Sequence, residues 1–401
     1  MQNHANIKND YSMNLTPTTS LSNTFNKFFD SEKSSGISLI ICTAIAIMIT
    51  NSPFGQDYLS LWHTNVSGLS LEHWINDGLM AIFFLLIGLE LEREIYIGEL
   101  SNIKNALLPI CAAIGGMLVP ALIHLSLNQA TPTQNGIGIP MATDIAFALG
   151  VLAILGNRIP ASLKVFVVAF AVIDDLGAIV IIAAFYTAKL SVWYLVGALL
   201  VWSLLLVLNR VFRVMALLPY ILGGVLMWFL MLKSGIHATV AGIMLAFAIP
   251  FSAKDDDQIS PSYKLEHLLH KPVAFIILPI FALANTGISV GADWLHGLTS
   301  LNSLGIGIGL IVGKPLGVTL FCFIAVAIGI CRLPSDLKWL HIIGAGILGG
   351  IGFTMSIFIT NLAFSGNPVT INTAKMSILL ASLTAGVFGF LWLRLKQKSQ
   401  P

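Results

Sequence analysis

The chain has 401 residues, of which 56% are hydrophobic and only 10% charged. A soluble domain carries about 25% charged residues, so a water-soluble globule is excluded. The net charge of +2 is no argument for nucleic acid, because the placement of the basic residues has another explanation, given below.

Residues 1–35 are polar, rich in Asn, Ser and Thr, and read as a disordered cytoplasmic tail. No cleavable signal precedes the first apolar run, so that run is expected to act as the targeting element. A helix crosses the ~30 Å hydrocarbon core in ~20 residues and satisfies its own backbone hydrogen bonds there. The apolar runs therefore predict an all-α polytopic membrane protein with twelve transmembrane helices. These are placed at 36–51, 74–91, 105–126, 138–156, 163–188, 191–209, 215–232, 235–251, 268–290, 303–331, 338–363 and 373–393. Residues 36–393 thus form a single transmembrane domain, and 394–401 a cytoplasmic tail. Of the twenty-one Lys and Arg residues, seventeen fall at the termini and in the connections joining even-numbered to odd-numbered spans. Only Lys189, Lys233 and Lys375 fall on the opposite side, and Lys314 lies within a span. Short Lys- and Arg-rich loops stay cytoplasmic, which places both termini inside.

Along the chain, the outer connection 52–73 alternates Leu59 with Leu61 and Leu69 with Leu71 around Gly68, hinting at a β-hairpin. The fourth span is preceded by Gly136, Gly138 and Pro140 and carries Thr143 and Asp144 near its middle. The eleventh carries Gly344, Gly346, Gly349, Gly350 and Gly352, then Thr354 and Ser356. Such interruptions in corresponding spans point to two discontinuous helices (spans 4 and 11) and an inverted repeat, spans 3–5 against spans 10–12. Close helix packing uses glycine in the same way, and the two readings stand side by side. The longest cytoplasmic connection, 252–266, contains Asp255, Asp256 and Asp257 and reads as a solvated loop. Cys42, Cys111, Cys322 and Cys331 lie in or at the ends of apolar segments without metal-type spacing and read as small core residues.

Ionisable groups far from span ends cost about 2.5–3.5 kcal/mol each, which makes them functional candidates. Asp144, Asp174, Asp175 and Lys314 meet that description. Their combined cost, roughly 10 kcal/mol, favours mutual pairing around a hydrated cavity. Buried ion pairs holding helices in register are the structural alternative, although adjacent acids make poor glue. Asp174 and Asp175 stand ~100° apart on one helix and can border one cavity. Two nearby carboxylates resist being ionised together. Such a pair holds a proton or offers hard oxygen ligands to a small cation, and competition for the same oxygens suffices for exchange. Helix breaks at mid-membrane present partial charges. Asp144 can neutralise the positive kind. Lys314, followed by Pro315, can neutralise the negative kind or pair with Asp174.

An anion or organic-solute carrier would want basic or aromatic groups at the midplane. An intramembrane aspartyl protease needs facing aspartates, which Asp144 and Asp175 can mimic, but the GxGD signature is missing. A channel needs no titrating pair. A cation carrier, not an enzyme, and one without cofactors, is the expectation.

Eight segments carry a family resemblance: "NDGLMAIFFLLIGLELERE" (76–94), "IPMATDIAFALGVLAILG" (139–156), "AVIDDLGAI" (171–179), "KSGIHATVAGI" (233–243), "LEHLLH" (265–270), "ILPIFALANTGI" (277–288), "GKPLG" (313–317) and "GGIGFTMSIFI" (349–359). In this combination and order the chain resembles the NhaA-type bacterial sodium/proton antiporters. The resemblance implies exchange of Na⁺ or Li⁺ for H⁺ across the bacterial inner membrane. It implies further that exchange is electrogenic and active at alkaline pH, and that a homodimer is joined partly through 52–73. It makes Asp175 the main cation ligand and proton carrier, with Asp174 assisting as gate and as partner of Lys314. Thr143 and Asp144 stand at the fourth-span break, and Glu90, Arg93, Glu94, His237, Glu266 and His267 belong to a pH-response region. Two departures lie near that region: Glu92 stands where the family often has Lys, and "LHKPVAF" replaces "LHPWVAF".

Overall fold

The structure, a computed structural model, describes residues 18–186, 190–252, 259–291 and 294–396. Residues 1–17 of the expected N-terminal tail, 397–401 of the C-terminal tail, and the acidic triplet 255–257 lie outside these. The chain is predominantly helical, and its helices follow the apolar runs in order. α1 (Thr18–Thr50) reaches back into the segment expected as a tail. After Thr50 the path turns by 119° into α2 (Gly55–Trp62). A hairpin follows: β1 (Asn65–Val66) pairs antiparallel with β2 (Leu69–Ser70), with Asn65 opposite Ser70 and Val66 opposite Leu69. Its two loop residues, Ser67 and Gly68, have φ of 53° and 89°. Left-handed conformations at both positions match the turn to the twist of the strands.

Next come α3 (Leu71–Tyr96) and α4 (Ile103–Asn128), then a 3₁₀ segment (Gln134–Met141) followed after three extended residues by α5 (Ile145–Leu155). α6 (Ala161–Phe185), α7 (Val192–Arg210), α8 (Leu218–Ser234), α9 (Val240–Ala246), α10 (Pro261–Asn285) and α11 (Leu301–Ala327) continue the series. α12 (Trp339–Gly349), α13 (Phe353–Ala363) and α14 (Pro368–Lys396) complete it. Local chemistry sets several starts. Asn102 accepts from the Lys104 amide at the head of α4, and Ser260 accepts from Tyr263 at the head of α10. Proline occupies the first turn of α8 and α10, where its missing N–H costs nothing.

Among the described residues, and with the 3₁₀ segment and α5 counted as one, eight helices are long and apolar enough to cross a bilayer, and ten result if each of two bent pairs is one span. The pairs are α1 with α2, and α12 with α13, the latter bent by 45°. The expected count of twelve is not reached by this measure, for a physical reason. α8 has 17 residues and is ~26 Å long, short of the ~30 Å core. The expected eighth span, 235–251, is helical only over the seven residues of α9. It is preceded by Gly235 at a φ of 88°, which ends α8 in the left-handed region.

The main core is gathered from α3–α6 and α10–α14. α4 and α11 cross backbone to backbone. A Cβ on Gly115 would lie 2.7 Å from the Phe321 Cβ, and one on Gly317 would lie 2.7 Å from the Gly115 carbonyl carbon. The glycines of the interrupted span divide their work. Gly344 and Gly346 let α12 press against α14 and α11, whereas residues 350–352 leave the helix altogether. Both readings of the glycine pattern therefore hold, at different residues. Lys314 lies in this tight zone: a Cβ on Gly116 would meet its Cε at 3.6 Å, and one on Gly349 its Cγ at 3.4 Å.

Overpacking the α4–α11 crossing has a direct consequence. Gly317→Val should destabilise the protein by about 1–3 kcal/mol, seen as a lower thermal unfolding midpoint in detergent. Gly307→Ala is the control, because a Cβ there meets only the Ser377 hydroxyl, at 3.6 Å.

Candidate functional site

Two interrupted helices meet in the middle of the bundle. Residues 142–144 are extended between the 3₁₀ segment and α5, and the chain leaves the helix at 350–352 between α12 and α13. The two breaks hydrogen-bond to each other. The Asp144 amide donates to the Ile351 carbonyl at 2.6 Å, and the Thr143 hydroxyl donates to the Gly349 carbonyl at 2.9 Å. The Ser356 hydroxyl donates to the Ile139 carbonyl at 2.7 Å.

Asp144 joins two helix beginnings. Its Oδ1 accepts from the Phe147 amide at 3.2 Å, capping α5, and its Oδ2 accepts from the Thr354 amide at 3.0 Å and from the Thr354 hydroxyl, capping α13. A carboxylate suits this position because each N-terminus leaves donors unpaired and carries a partial positive charge. Lys314 does the converse. Its Nζ donates to the Met141 carbonyl at the end of the 3₁₀ segment, and to Asp174 at 2.7 and 3.0 Å. The roles that the residue types left as alternatives, helix-end neutralisation and pairing with Asp174, are thus held together by one ammonium. Lys314 and Asp174 are both fully buried, and the ammonium lies 5.7 Å from the centre of the Phe170 ring. Thr143 sits beside the Asp174 carboxyl.

Asp175 is different. It is 1% exposed, and neither carboxyl oxygen has a hydrogen-bond partner among the described residues. The charges acting on it are those of Asp174, Asp144 and Lys314, with Glu90 a weaker contributor. With all four central groups charged, the cluster carries three negative charges and one positive. Asp144 is offset by two helix N-termini and Asp174 by Lys314, so the uncompensated charge is that of Asp175. A buried, unpaired carboxylate is costly. A proton or a cation would neutralise it, and its two free oxygens are hard ligands of the kind a small cation takes.

The residues expected in a pH-response region are divided. Arg93 lies 3.4 Å from Glu266 and 3.9 Å from Glu94. His267, exposed, stacks on Tyr263 with ring centres 3.9 Å apart and hydrogen-bonds to its carbonyl. Glu90 lines a narrow cavity of about 40 Å³ with His270. Glu92, the departure from the family pattern, is buried with Ser262 and Arg210 as its polar neighbours. His237 is not among them. It hydrogen-bonds to the Tyr186 carbonyl at 3.0 Å and lines a cavity of about 660 Å³ that also holds Asp77. Asp77 and Arg93 are sixteen residues apart on α3, ~24 Å along its axis, so the two groups lie towards opposite faces.

Thr354, noted in the sequence only as part of the eleventh-span pattern, and the Met141 carbonyl belong to the site without having been named as site residues. Thr354 had a signal, a hydroxyl two residues beyond the glycine break. A backbone carbonyl has none.

The sequence matches the family described as Na⁺/H⁺ antiporter 1 over residues 26–393. It is 69% identical over 381 residues to "Na(+)/H(+) antiporter NhaA" of Dechloromonas aromatica, covering 95% of this chain and 98% of that protein. Proteins of the same name from Cytophaga hutchinsonii and Vibrio campbellii are 59% and 50% identical. The matches cover 93% and 91% of this chain, and 96% and 94% of those proteins.

The geometry yields a double-variant test. Lys314→Met strands the buried Asp174 carboxylate, a loss of about 3–5 kcal/mol. Adding Asp174→Asn should recover part of that loss in thermal unfolding, although Lys314 and its bond to Met141 remain absent.

Proposed function

The chain belongs to the NhaA-type Na⁺/H⁺ antiporter family, and from that premise we propose that it exchanges Na⁺, and Li⁺, for H⁺ through alternate occupation of Asp175. The observation that carries this reading is the contrast between the two adjacent aspartates. Asp174 is saturated by Lys314, whereas Asp175 is buried with both oxygens free. A proton neutralises Asp175 by forming an O–H bond. A cation does so by coordination, with Asp174 and Thr143 close enough to add oxygens once Lys314 releases its grip. Each occupant excludes the other, so neither need be bound together with its competitor. Asp144 keeps the two half-helices joined while the ion changes.

Counting α1, α8, α9 and the α12–α13 pair with the other eight helices gives the twelve crossings of the proposed topology. The repeat then sets α4–α6 against α11–α14. Basic loops put both termini in the bacterial cytoplasm and the β1–β2 hairpin on the outer face of the inner membrane, where 52–73 serves as the homodimer contact. Regulation towards alkaline pH is assigned to Glu90, Arg93, Glu94, Glu266 and His267 at the inner face, and to His237 at the outer. Exchange is taken as electrogenic: besides the proton of Asp175, a second proton leaves Lys314 as the cation parts it from Asp174, so two protons move per sodium ion. One net charge per cycle at 100 mV supplies ~2.3 kcal/mol, enough for roughly a 50-fold sodium gradient.

Two measurements test this. Sodium added to everted vesicles should collapse ΔpH with the wild-type chain and fail to do so with Asp175→Asn; undiminished exchange by that variant would sink the mechanism. Competition for one carboxylate also sets a pH law. In the range where Asp175 is protonated, the apparent KM for Na⁺ should rise at least about tenfold for each unit of falling pH, with little change in maximal rate.

A further inference from the structure

Three buried or half-buried amides meet at the outer 660 Å³ cavity: Asn76 on α3 and Asn361 on α13 line its floor, and Asn285 at the end of α10 lies fully buried beneath them. Asn76 and Asn285 exchange two bonds, at 2.9 and 3.3 Å, and Asn285 is also tied to the Phe281 carbonyl of its own helix. Asn361 makes one bond, donating to the Asn285 Oδ1 at 2.5 Å, and its own buried Oδ1 has no partner among the described residues. The asymmetry follows the architecture. α10 packs chiefly with α1 and the start of α3, and meets α13 where the Phe281 and Phe358 rings lie 6.4 Å apart; α13 packs chiefly with α14 and with the 3₁₀ segment that leads into one of the breaks. The cavity runs along the same seam, with Asn76, Asp77 and Ala284 on one wall and Asn361, Ser365 and Lys375 on the other.

We infer that the Asn361–Asn285 contact is the latch that closes the outer side of this seam. Its two partners belong to bodies that rock against each other in each transport cycle. The inference rests on the antiport reading above, because alternating access requires that such a seam open. The bonding pattern suits a latch. Withdrawing α13 from α10 breaks this one side-chain hydrogen bond and parts the Phe281 and Phe358 rings, while the reciprocal Asn76–Asn285 pair keeps Asn285 in place to receive Asn361 again; further along the seam Asn372 on α14 bonds both ways to the Ser289 backbone, at 2.9 and 3.1 Å. Closing the seam at this floor separates the outer cavity from the aspartates. Asn285 and Asn361 are positioning residues, since neither touches Asp175.

The test starts from a chain in which Cys42, Cys111, Cys322 and Cys331 are replaced by Ala. Two pairs are introduced separately, Asn285→Cys with Asn361→Cys and Asn76→Cys with Asn285→Cys, and each is bridged by a one-carbon bis-methanethiosulfonate that dithiothreitol cleaves. Bridging across the seam should reduce Na⁺-dependent exchange at least about tenfold, with recovery on cleavage. Bridging within one body should leave it within about twofold of the unbridged protein. Retained exchange across the seam, or equal loss from both bridges, overturns the latch. Should the seam pair lack exchange before bridging, Asn361→Ala decides the matter. Losing one hydrogen bond from the outward-closed state should raise the ratio of inner-side to outer-side KM for Na⁺ about fivefold. A merely structural role lowers the yield of folded protein and leaves that ratio unchanged, which overturns the inference. Absence of exchange in the unsubstituted chain would fall on the antiport reading instead.

Discussion

An interrupted helix in the middle of a bilayer leaves backbone donors and acceptors that lipid cannot satisfy. This protein has two such interruptions, and the rest of the structure depends on how each completes the other. The amide of one break donates to a carbonyl of the other, and Asp144 caps the helix that begins on either side. Lys314 supplies the opposite charge at the end of the 3₁₀ segment. The crossing is a closed polar network in an apolar surrounding, with donors directed at acceptors and charges directed at helix ends.

That network explains why one aspartate can remain unsatisfied. Asp174 and Asp175 are neighbours on α6, about 100° apart around its axis. One turns towards Lys314, which the glycines at 116 and 349 allow to thread between α4 and α12. The other turns into the same buried region and finds no donor. A site that satisfied both would be an ordinary buried ion-pair network. Leaving one open in a low-dielectric setting creates demand for a small positive particle, which in the proposed exchange is a proton or a sodium ion in turn.

Much of the site was legible before any coordinates. Charges in apolar runs are rare enough to single out Asp144, Asp174, Asp175 and Lys314, and glycine, joined by Pro140 in the fourth span, marked both places as either a break or a close packing. The structure brings all four together, with Thr143 alongside. The distribution of the other ionisable groups was less legible. Arg93, Glu94 and Glu266 converge because the end of α3 meets the start of α10, but His237 lies near the far end of α3. Residues far apart in sequence carry no mark of which membrane face they share when one of them falls in a segment such as 235–251. There a seven-residue helix between turns replaced the regular span that was expected.

The sequence by itself determined that the chain lives in a membrane, that two of its runs carry glycine patterns suited to a break or to close packing, and that carboxylates occupy the middle. These are local properties, set by hydropathy over twenty residues, by glycine and proline, and by the cost of burying charge. Only the tertiary structure decided that Lys314 serves Met141 and Asp174 together, that Asp144 caps two helices and that, of the four central groups, Asp175 is the one without a hydrogen-bond partner among the described residues. Each of those facts depends on distances between segments as many as 210 residues apart. Hydrogen bonds form or fail over tenths of an ångström, which packing settles and spacing along the chain does not.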